Sequence, residues 1–400
     1  MDYDVLILGG GPAGLSTALH LIQRAPHLAD RILLLEKAHY PRPKLCAGGL
    51  TPDAEILLER LGLDVSEVPH MDASAAHFDF EGKGLSISLP KRHVLRIIRR
   101  DEFDAWLAGK TRESGIEIRE GVTVKVVRPD ADGVTVITDQ GNYCAKVVIG
   151  ADGSNGVTRR CMLPNAPVYT ARVLEVITPT RPGPLPSPPP SDANTSIRWG
   201  RVPEGRVGVA FFDFFPVPDG IAGYTWDFPT QVRGQPMCCW GIYDTNMLAS
   251  DSRPPLKEPL REEMARQGFD LDEYEIQGYP IRWFEPSTPI SVPRVLLVGD
   301  AAGADPLFGE GISMALGYGK LAAWELEQAF STGDFSFSGY KRRLARSALG
   351  QTLFARWFIA SIIYPLKWRW FQILLWRILK PVVVLVAWIF ILNWGKRLKT

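Results

Sequence analysis

The glycine turn Gly9-Gly10-Gly11-Pro12-Ala13-Gly14 constrains this chain more than any other feature. It follows an apolar run over residues 3–8 and opens a helical pattern over 12–24; a second apolar run, 31–35, then ends on Glu36. Strand, turn, helix and strand in that order predict a βαβ unit, and therefore an α/β fold built on a parallel sheet. The spacing Gly9-x-Gly11-x-x-Gly14 serves a tight turn, close approach of backbone to a pyrophosphate, and packing of helix on strand. Gly9, Gly11, Pro12, Ala13 and Gly14 are thus candidate dinucleotide contacts, since a helix N-terminus also favours phosphate charge. Glu36, twenty-two residues past Gly14, is placed to accept from ribose hydroxyls, with Lys37 beside it.

Two later apolar runs also end on a glycine and an acid: Ile149-Gly150-Ala151-Asp152-Gly153-Ser154 and Val298-Gly299-Asp300-Ala301-Ala302-Gly303. Short strands are expected at 116–118, 122–128, 134–138, 146–149 and 294–298, with hairpin turns at Asp132-Gly133 and Gln140-Gly141. With Arg100 in Arg100-x-x-Phe103-Asp104, these segments resemble the motifs of the FAD-dependent hydroxylase superfamily. The resemblance implies a Rossmann-type FAD site in which Arg100, Asp152, Gly153, Gly299 and Asp300 join the glycine turn. A carboxylate such as Asp300 suits the ribityl chain because it accepts from sugar-like hydroxyls. Asp305-Pro306-Leu307-Phe308-Gly309-Glu310-Gly311-Ile312 then leads into a small-residue helix over 313–330. Gly309 and Gly311 would let backbone amides approach a flavin ring, and the helix opening at Ile312 favours negative charge on it.

Two further stretches narrow the resemblance. Pro41-Arg42-Pro43-Lys44-Leu45-Cys46-Ala47-Gly48-Gly49 is similar to the P-x-x-K-x-C-G-G stretch of the geranylgeranyl reductase family, with Ala47 where that family usually has glycine. Gly223-Tyr224-x-Trp226-x-Phe228-Pro229 resembles its Y-x-W-x-F-P motif. Membership would imply reduction of isolated C=C bonds in a polyprenyl chain by reduced FAD, on a prenyl diphosphate, a prenylated lipid, a quinone tail or a pigment alcohol. An isolated alkene has no carbonyl to take up charge, so a proton must reach the second carbon, and Cys46 is the candidate to support that delivery. A buried packing cysteine is the plainer reading of the same residue. Tyr224, Trp226 and Phe228 alternate, so on a strand they share one face, as a lipid-tunnel wall or a core strand requires. No second G-x-G-x-x-G unit follows, so the electron donor, NADPH or a reduced ferredoxin-like protein, is expected to dock transiently. The rival readings are an FAD monooxygenase or halogenase on the same fold, and a membrane-docked flavin electron-transfer protein.

Charge divides the chain. Residues 341–400 carry twelve Lys and Arg and no acid, against a whole-chain net of +1, so residues 1–340 carry −11. Residues 354–394 also hold six of the twelve tryptophans, at 357, 368, 370, 376, 388 and 394. Tryptophan interleaved with Lys and Arg is the composition of helices at a bilayer surface, although a helical cap on the catalytic body would use the same apolar residues. The uncharged run 381–394 is short for a membrane span. Dense aliphatic content argues against nucleic acid.

The five cysteines lack a C-x-x-C pair, and no basic leader is visible, so a reducing compartment and the cytoplasmic face of a membrane are expected. The six histidines lack metal-ligand spacing. Residues 1–70, 95–165 and 290–335 are expected to form a discontinuous FAD-binding domain. Residues 71–94 and 166–289 would form an inserted antiparallel-sheet substrate-binding domain, and 336–400 a basic helical membrane-associating region. Seven prolines over 178–190 read as an exposed loop, the commoner fate of such a stretch, or else as a polyproline segment for a partner.

Overall fold

The computed structural model describes residues 2–89, 91–180, 208–248 and 253–398; the proline-rich stretch lies outside them from residue 181 onward. The expected βαβ unit is present. Strand Tyr3–Leu8 leads through the glycine turn into helix Pro12–Arg24 and returns in strand Ile32–Leu35. The two strands pair in parallel, Val5 opposite Ile32 and Leu8 opposite Leu35. Ile32–Leu35 is apolar throughout and Tyr3–Leu8 is apolar from Val5 onward, because both faces of the sheet are covered there.

Strand Gly141–Gly150 is longer than the run expected at 146–149 because its two halves pair differently. Its outer half runs antiparallel to Val134–Thr138, while its inner half runs parallel to Tyr3–Leu8, Val147 opposite Val5. Strand Val295–Leu297 adds in parallel on the far side, with Leu297 opposite Gly150. The carboxyl ends of Tyr3–Leu8, Gly141–Gly150 and Val295–Leu297 therefore lie side by side, which is where open α/β sheets bind ligands. Helix Ile312–Thr332 packs on helix Pro12–Arg24. Gly319 makes that contact close, since a Cβ there would lie 2.5 Å from Ser16 Oγ, and Ser16 Oγ donates to Leu316 O at 3.0 Å.

A second, seven-stranded sheet draws on both sides of the sequence gap filled by the first. Ala75–Phe80 and Lys83–Ser88 join Thr170–Pro179, Val209–Asp213, Gly223–Val232, Gln235–Asp244 and Gln277–Arg282. Its pairs are antiparallel except that Val209–Asp213 runs parallel to Ala75–Phe80. A small sheet of Gly49–Leu50, Leu95–Ile98 and His70–Ala73 packs beside strand Gly223–Val232.

The C-terminal residues sort by face. Trp394 is fully buried and Trp376 is 5% exposed, whereas Trp368, Trp370 and Trp388 are 58%, 60% and 54% exposed. Helix Ala348–Ile363 contributes a buried Arg356, and Trp394 packs against Gly317. The packed cap and the exposed aromatic surface considered from composition are thus two faces of one segment. No single helix among the described residues is long and apolar enough to cross a membrane; Arg369–Ile378 and Lys380–Arg397, bent by 78°, together have the length and composition for it.

Candidate active site

The carboxyl ends of the parallel strands open into a cavity of about 1080 Å³. Every residue put forward from sequence as a cofactor, catalytic or substrate contact lines it except Gly14. Gly14 lies one layer deeper: a Cβ there would sit 2.1 Å from Gly9 O and 3.1 Å from Ile7, so it serves packing of helix on strand. Gly9 takes a φ of 108°, and a Cβ on it would meet Ala151 O at 2.4 Å. Gly11 differs in kind. Its face is open, with only Arg42 Nη2 at 3.8 Å and Arg100 Nη2 at 4.0 Å from a Cβ position.

Glu36 is buried and holds the turn itself. Its Oε2 accepts from Gly10 N at 2.8 Å and its Oε1 from Ala38 N at 3.0 Å. Glu36 and Lys37 both line the cavity, and a carboxylate oxygen that accepts from one backbone amide can still accept a second hydrogen bond. Arg42, quoted with the cysteine loop but given no role there, is the connecting cation. It stands 3.5 Å from Glu36, 3.2 Å from Asp104, and donates to Gly10 O at 3.2 Å. Arg100 is held in place by a bidentate pair with Asp104, both contacts at 2.8 Å. Buried Arg100 and part-buried Arg42 share Asp104 beside the open face of Gly11, with Glu36 as the second acid near Arg42.

Asp152 and Asp300 approach the cavity from neighbouring strand ends. Asp152 Oδ2 accepts from Thr158 N and Oγ1 at 2.8 and 2.9 Å, while its buried Oδ1 has no protein partner. Burial pushes the Asp152 carboxyl up. Asp300 Oδ2 accepts from Ser154 Oγ at 3.3 Å, and its Oδ1 lies 3.6 Å from a Cβ position on Gly311. Gly299 and Gly309 both take left-handed φ, and a Cβ would strike Ala13 at 2.7 Å or the Tyr243 ring at 2.8 Å. Helices Pro12–Arg24 and Ile312–Thr332 begin at Gly11 and Gly311 without a side-chain cap, which leaves their first amides for a ligand.

These residues fit a flavin dinucleotide. The uncapped turn with two arginines meets a pyrophosphate, the acids meet hydroxyls, and the glycine loop 309–311 allows close approach to a ring.

The cavity continues past Lys44 and Cys46 to an aromatic wall of Tyr224, Trp226, Phe228 and Phe212. Tyr224 does more than line it, for its hydroxyl donates to Phe308 O at 2.5 Å and pins the 305–309 loop. Lys44 Nζ stands 3.1 Å from the centre of the Tyr279 ring, and burial pushes its ammonium down to about 8 despite Asp300 nearby. Burial pushes the Cys46 thiol up, against the pull of Arg100. In the cysteine loop the conformational demand falls on Gly48, not on Ala47. Gly48 has a φ of 78° and a Cβ there would lie 1.9 Å from Ile98 O, so alanine at 47 is accommodated. The outer wall comes from the C-terminal segment, including Ile359, Trp376, Val383 and Leu392. Sequence reasoning gave no role to Arg42 and counted Arg356 among the cations of a bilayer-facing segment, whereas Arg356 is buried on Asp305 and Glu310; both find their acids far away in the chain, so no local pattern marks them.

Fold and site together define an FAD-binding flavoprotein. The chain belongs to the FAD binding domain family, which matches residues 2–337. It is 27% identical to digeranylgeranylglycerophospholipid reductase 1 of Methanopyrus kandleri, over 86% of this chain and 85% of that protein. It is 28% identical to menaquinone reductase of Mycolicibacterium smegmatis, over 83% of this chain and 78% of that one. Among solved structures it resembles a geranylgeranyl bacteriochlorophyll reductase-like protein of Thermoplasma acidophilum, with a TM-score of 0.71, 21% identity and 98% of both chains covered. A flavin-dependent brominase gives a TM-score of 0.69 at 18% identity, over 99% of this chain and 94% of that one. At these identities the structural likenesses speak for the fold alone. Within the FAD-dependent oxidoreductases, the chain is similar to digeranylgeranylglycerophospholipid reductases in sequence, in keeping with its cysteine-loop and Y-x-W-x-F-P motifs.

Proposed function

We propose that this protein is an FAD-dependent reductase that saturates isolated C=C bonds of a polyprenyl chain. The observation that carries the reading is the continuity of one cavity, from the turn at Gly9 and Gly11 past Asp300 to Cys46 and the aromatic strand. Reduced FAD, when bound, supplies the hydride. The chain's own residues supply the rest. Gly9, Gly11, Pro12 and Ala13 with Glu36 and Lys37 take the ADP half. Arg42 and Arg100 neutralise the pyrophosphate, and Asp152, Gly153, Gly299 and Asp300 take the ribityl side. Gly309, Gly311 and Ile312 offer backbone amides to the ring. Tyr224, Trp226 and Phe228 exclude water and match an isoprenoid chain, whose unreactive length gives only apolar contact to bind by. Cys46 holds a proton at Sγ for the second carbon, because its raised thiol is uncharged at neutral pH.

In this reading residues 71–94 and 166–289 form the substrate-binding domain, inserted into the FAD-binding domain of 1–70, 95–165 and 290–335. Residues 336–400 both wall the cavity and rest on the cytoplasmic face of a membrane. The exposed Phe354, Phe358, Trp368, Trp370, Trp388 and Ile389 support this, since they lie on the segment that closes the cavity. A digeranylgeranyl lipid or a quinone with a prenyl tail is the substrate class, reaching the cavity from the bilayer. NADPH or a reduced ferredoxin-like protein docks transiently as donor.

The test is anaerobic incubation of the chemically reduced holoprotein with vesicles containing digeranylgeranylglycerophospholipid or menaquinone, followed by mass spectrometry. Gain of two hydrogens per double bond is expected. No gain in either lipid, or a product that forms only with O2, would overturn the proposal. Oxygen-dependent chemistry on the same fold is the second reading, and the same experiment without and with O2 separates the two.

A further inference from the structure

The edge strand Gln277–Arg282 of the seven-stranded sheet ends against the candidate flavin site. Arg282 O accepts from Ala304 N at 2.9 Å, and Phe284 N donates to Ala304 O at 2.8 Å. The chain leaving the strand is thereby stitched to the segment that follows the Gly299-Asp300 turn. The fit is close: Gly303 takes a φ of 129°, and a Cβ on it would lie 2.6 Å from Phe284 Cα. This join leaves Arg282 only 6% exposed, and Arg159 of helix Val157–Met162 is 5% exposed against the same segment.

Both guanidiniums meet neutral oxygens. Arg282 Nη2 donates to Ser154 O at 3.1 Å and Arg159 Nη1 to Ala301 O at 3.1 Å, while Arg282 Nε has no partner. Arg100 and Arg356 are paired with Asp104 and Asp305; Arg159 and Arg282 form no ion pair among the described residues. Burial pushes the Arg159 guanidinium down to about 10, with the Arg282 charge adding to the push, and burial pushes Arg282 down against the pull of Asp300. Both stay charged at neutral pH. A cation taken out of water is costly unless it is paired, so two unpaired ones beside one turn call for a reason. A path of hydrogen bonds supplies it. Arg282 N donates to Ser154 Oγ at 2.9 Å, and Ser154 Oγ donates to Asp300 Oδ2 at 3.3 Å. The other oxygen of Asp300 lies 3.6 Å from a Cβ position on Gly311, where helix Ile312–Thr332 opens. Neither arginine lines the cavity, so each acts on its contents from behind the Asp300 turn.

We propose that Arg282 is a positioning residue of the flavin site: through Ser154 it fixes Asp300, and its unpaired charge, reinforced by Arg159, makes bound FAD easier to reduce. This deepens the reductase reading and rests on it for its catalytic meaning, because the flavin must take electrons from a nicotinamide or ferredoxin-like donor before an alkene can receive hydride. Reduction brings two electrons and one proton to FAD and leaves one negative charge. A buried cation stabilises such a charge more than a solvated one does, since little water lies between them to screen it. The uncapped opening of helix Ile312–Thr332 acts in the same sense. The strand that carries Arg282 belongs to the sheet of the aromatic wall, so the substrate side of the molecule contributes a charge to the flavin side.

The test is the midpoint potential of the flavin in the FAD-loaded protein, read by absorbance against a reference dye while dithionite reduces both. Arg282→Gln removes the charge and keeps a donor for Ser154 O. Its flavin should be harder to reduce by about tenfold or more in the equilibrium with the dye, a midpoint more negative by about 30 mV or more. Arg282→Lys, which keeps the charge, should recover most of that shift. Ser154→Ala cuts the link to Asp300 and keeps both cations, so it should weaken FAD binding by about tenfold and move the potential less than Arg282→Gln does. An unchanged potential in Arg282→Gln, or equal shifts in the Gln and Lys variants, overturns the proposal. If Arg282→Gln fails to hold flavin, the wild-type protein decides: its midpoint should lie above that of free FAD in the same cell, and a midpoint at or below it overturns the proposal too. The readout needs no prenyl substrate. Potentials shifted as expected, with no lipid reduction by the wild type, would overturn the reductase reading and leave Arg282 as a group that sets the flavin potential.

Discussion

Arg356, near the middle of helix Ala348–Ile363, donates through Nη1 to Asp305 Oδ2 at 2.7 Å, with both side chains buried. The same nitrogen also contacts Glu310 Oε2, whose Oε1 accepts from Thr51 at 2.8 Å. Asp305 and Glu310 bracket the loop that carries Gly309 to the cavity, so the C-terminal segment is tied to the candidate flavin loop by a buried ion network. Removing one partner from such a network leaves an uncompensated charge in low dielectric. Arg356→Met is therefore expected to cost about 3–5 kcal/mol, read from urea unfolding monitored by tryptophan fluorescence. A change under about 1 kcal/mol would mean the network is solvated.

Gly14 and Gly11 should separate packing from binding. Gly14→Ala places a methyl 2.1 Å from Gly9 O, so the variant should lose fold stability whether or not FAD is present. Gly11→Ala meets no protein atom closer than 3.8 Å. Its apoprotein should melt with the wild type while its affinity for FAD falls about tenfold or more. Calorimetry of the apoproteins and flavin titration decide it, and equal melting of both variants would remove the distinction.

Cys46→Ala should retain bound flavin, because the Cys46 side chain takes no part in the hydrogen bonds that hold the glycine turn or Arg100 to Asp104. Turnover should fall, by about 10²–10⁴-fold if the thiol delivers the proton. Turnover equal to wild type would take the thiol out of the mechanism.

The exposed tryptophans carry the membrane proposal. Replacing Trp368, Trp370 and Trp388 by Ser should leave the melting temperature nearly unchanged, since all three are more than half exposed. Binding to anionic vesicles should drop in a sedimentation assay. Wild-type protein that fails to bind such vesicles would remove the basis for a membrane role.

A cluster outside the site predicts a pH effect. Burial, with Asp79 and Glu263 close by, pushes the Asp213 carboxyl up to about 8. The folded state then holds a proton that the unfolded state releases at lower pH, so stability falls as pH rises from about 4 to 8. Asp213→Asn removes that loss. Its melting temperature should exceed that of the wild type at pH 8 and match it below about pH 4; parallel curves across the range would refute the assignment.

Much of the site was legible from sequence because its signals are local. Strand, turn and helix of the first βαβ unit are set by apolar runs and by glycines whose neighbours lie within a few residues, as Gly14 against Gly9 O shows. The acids at 152 and 300 were readable for the same reason, each ending a short buried strand. Sequence could likewise place Tyr224, Trp226 and Phe228 on one face, since alternation along a strand is fixed by backbone geometry.

What joins these segments is long-range and was settled only by the tertiary structure. Arg42 finds Asp104 and Arg356 finds Asp305, pairs that no spacing in the chain announces. The C-terminal segment shows the limit most clearly. Its composition fixed that it must bury some apolar surface and present some charge, but which tryptophans face inward depended on where the cavity stood. Periodicity is a property of one element, while burial is a property of two surfaces in contact, and the second surface here lies hundreds of residues away.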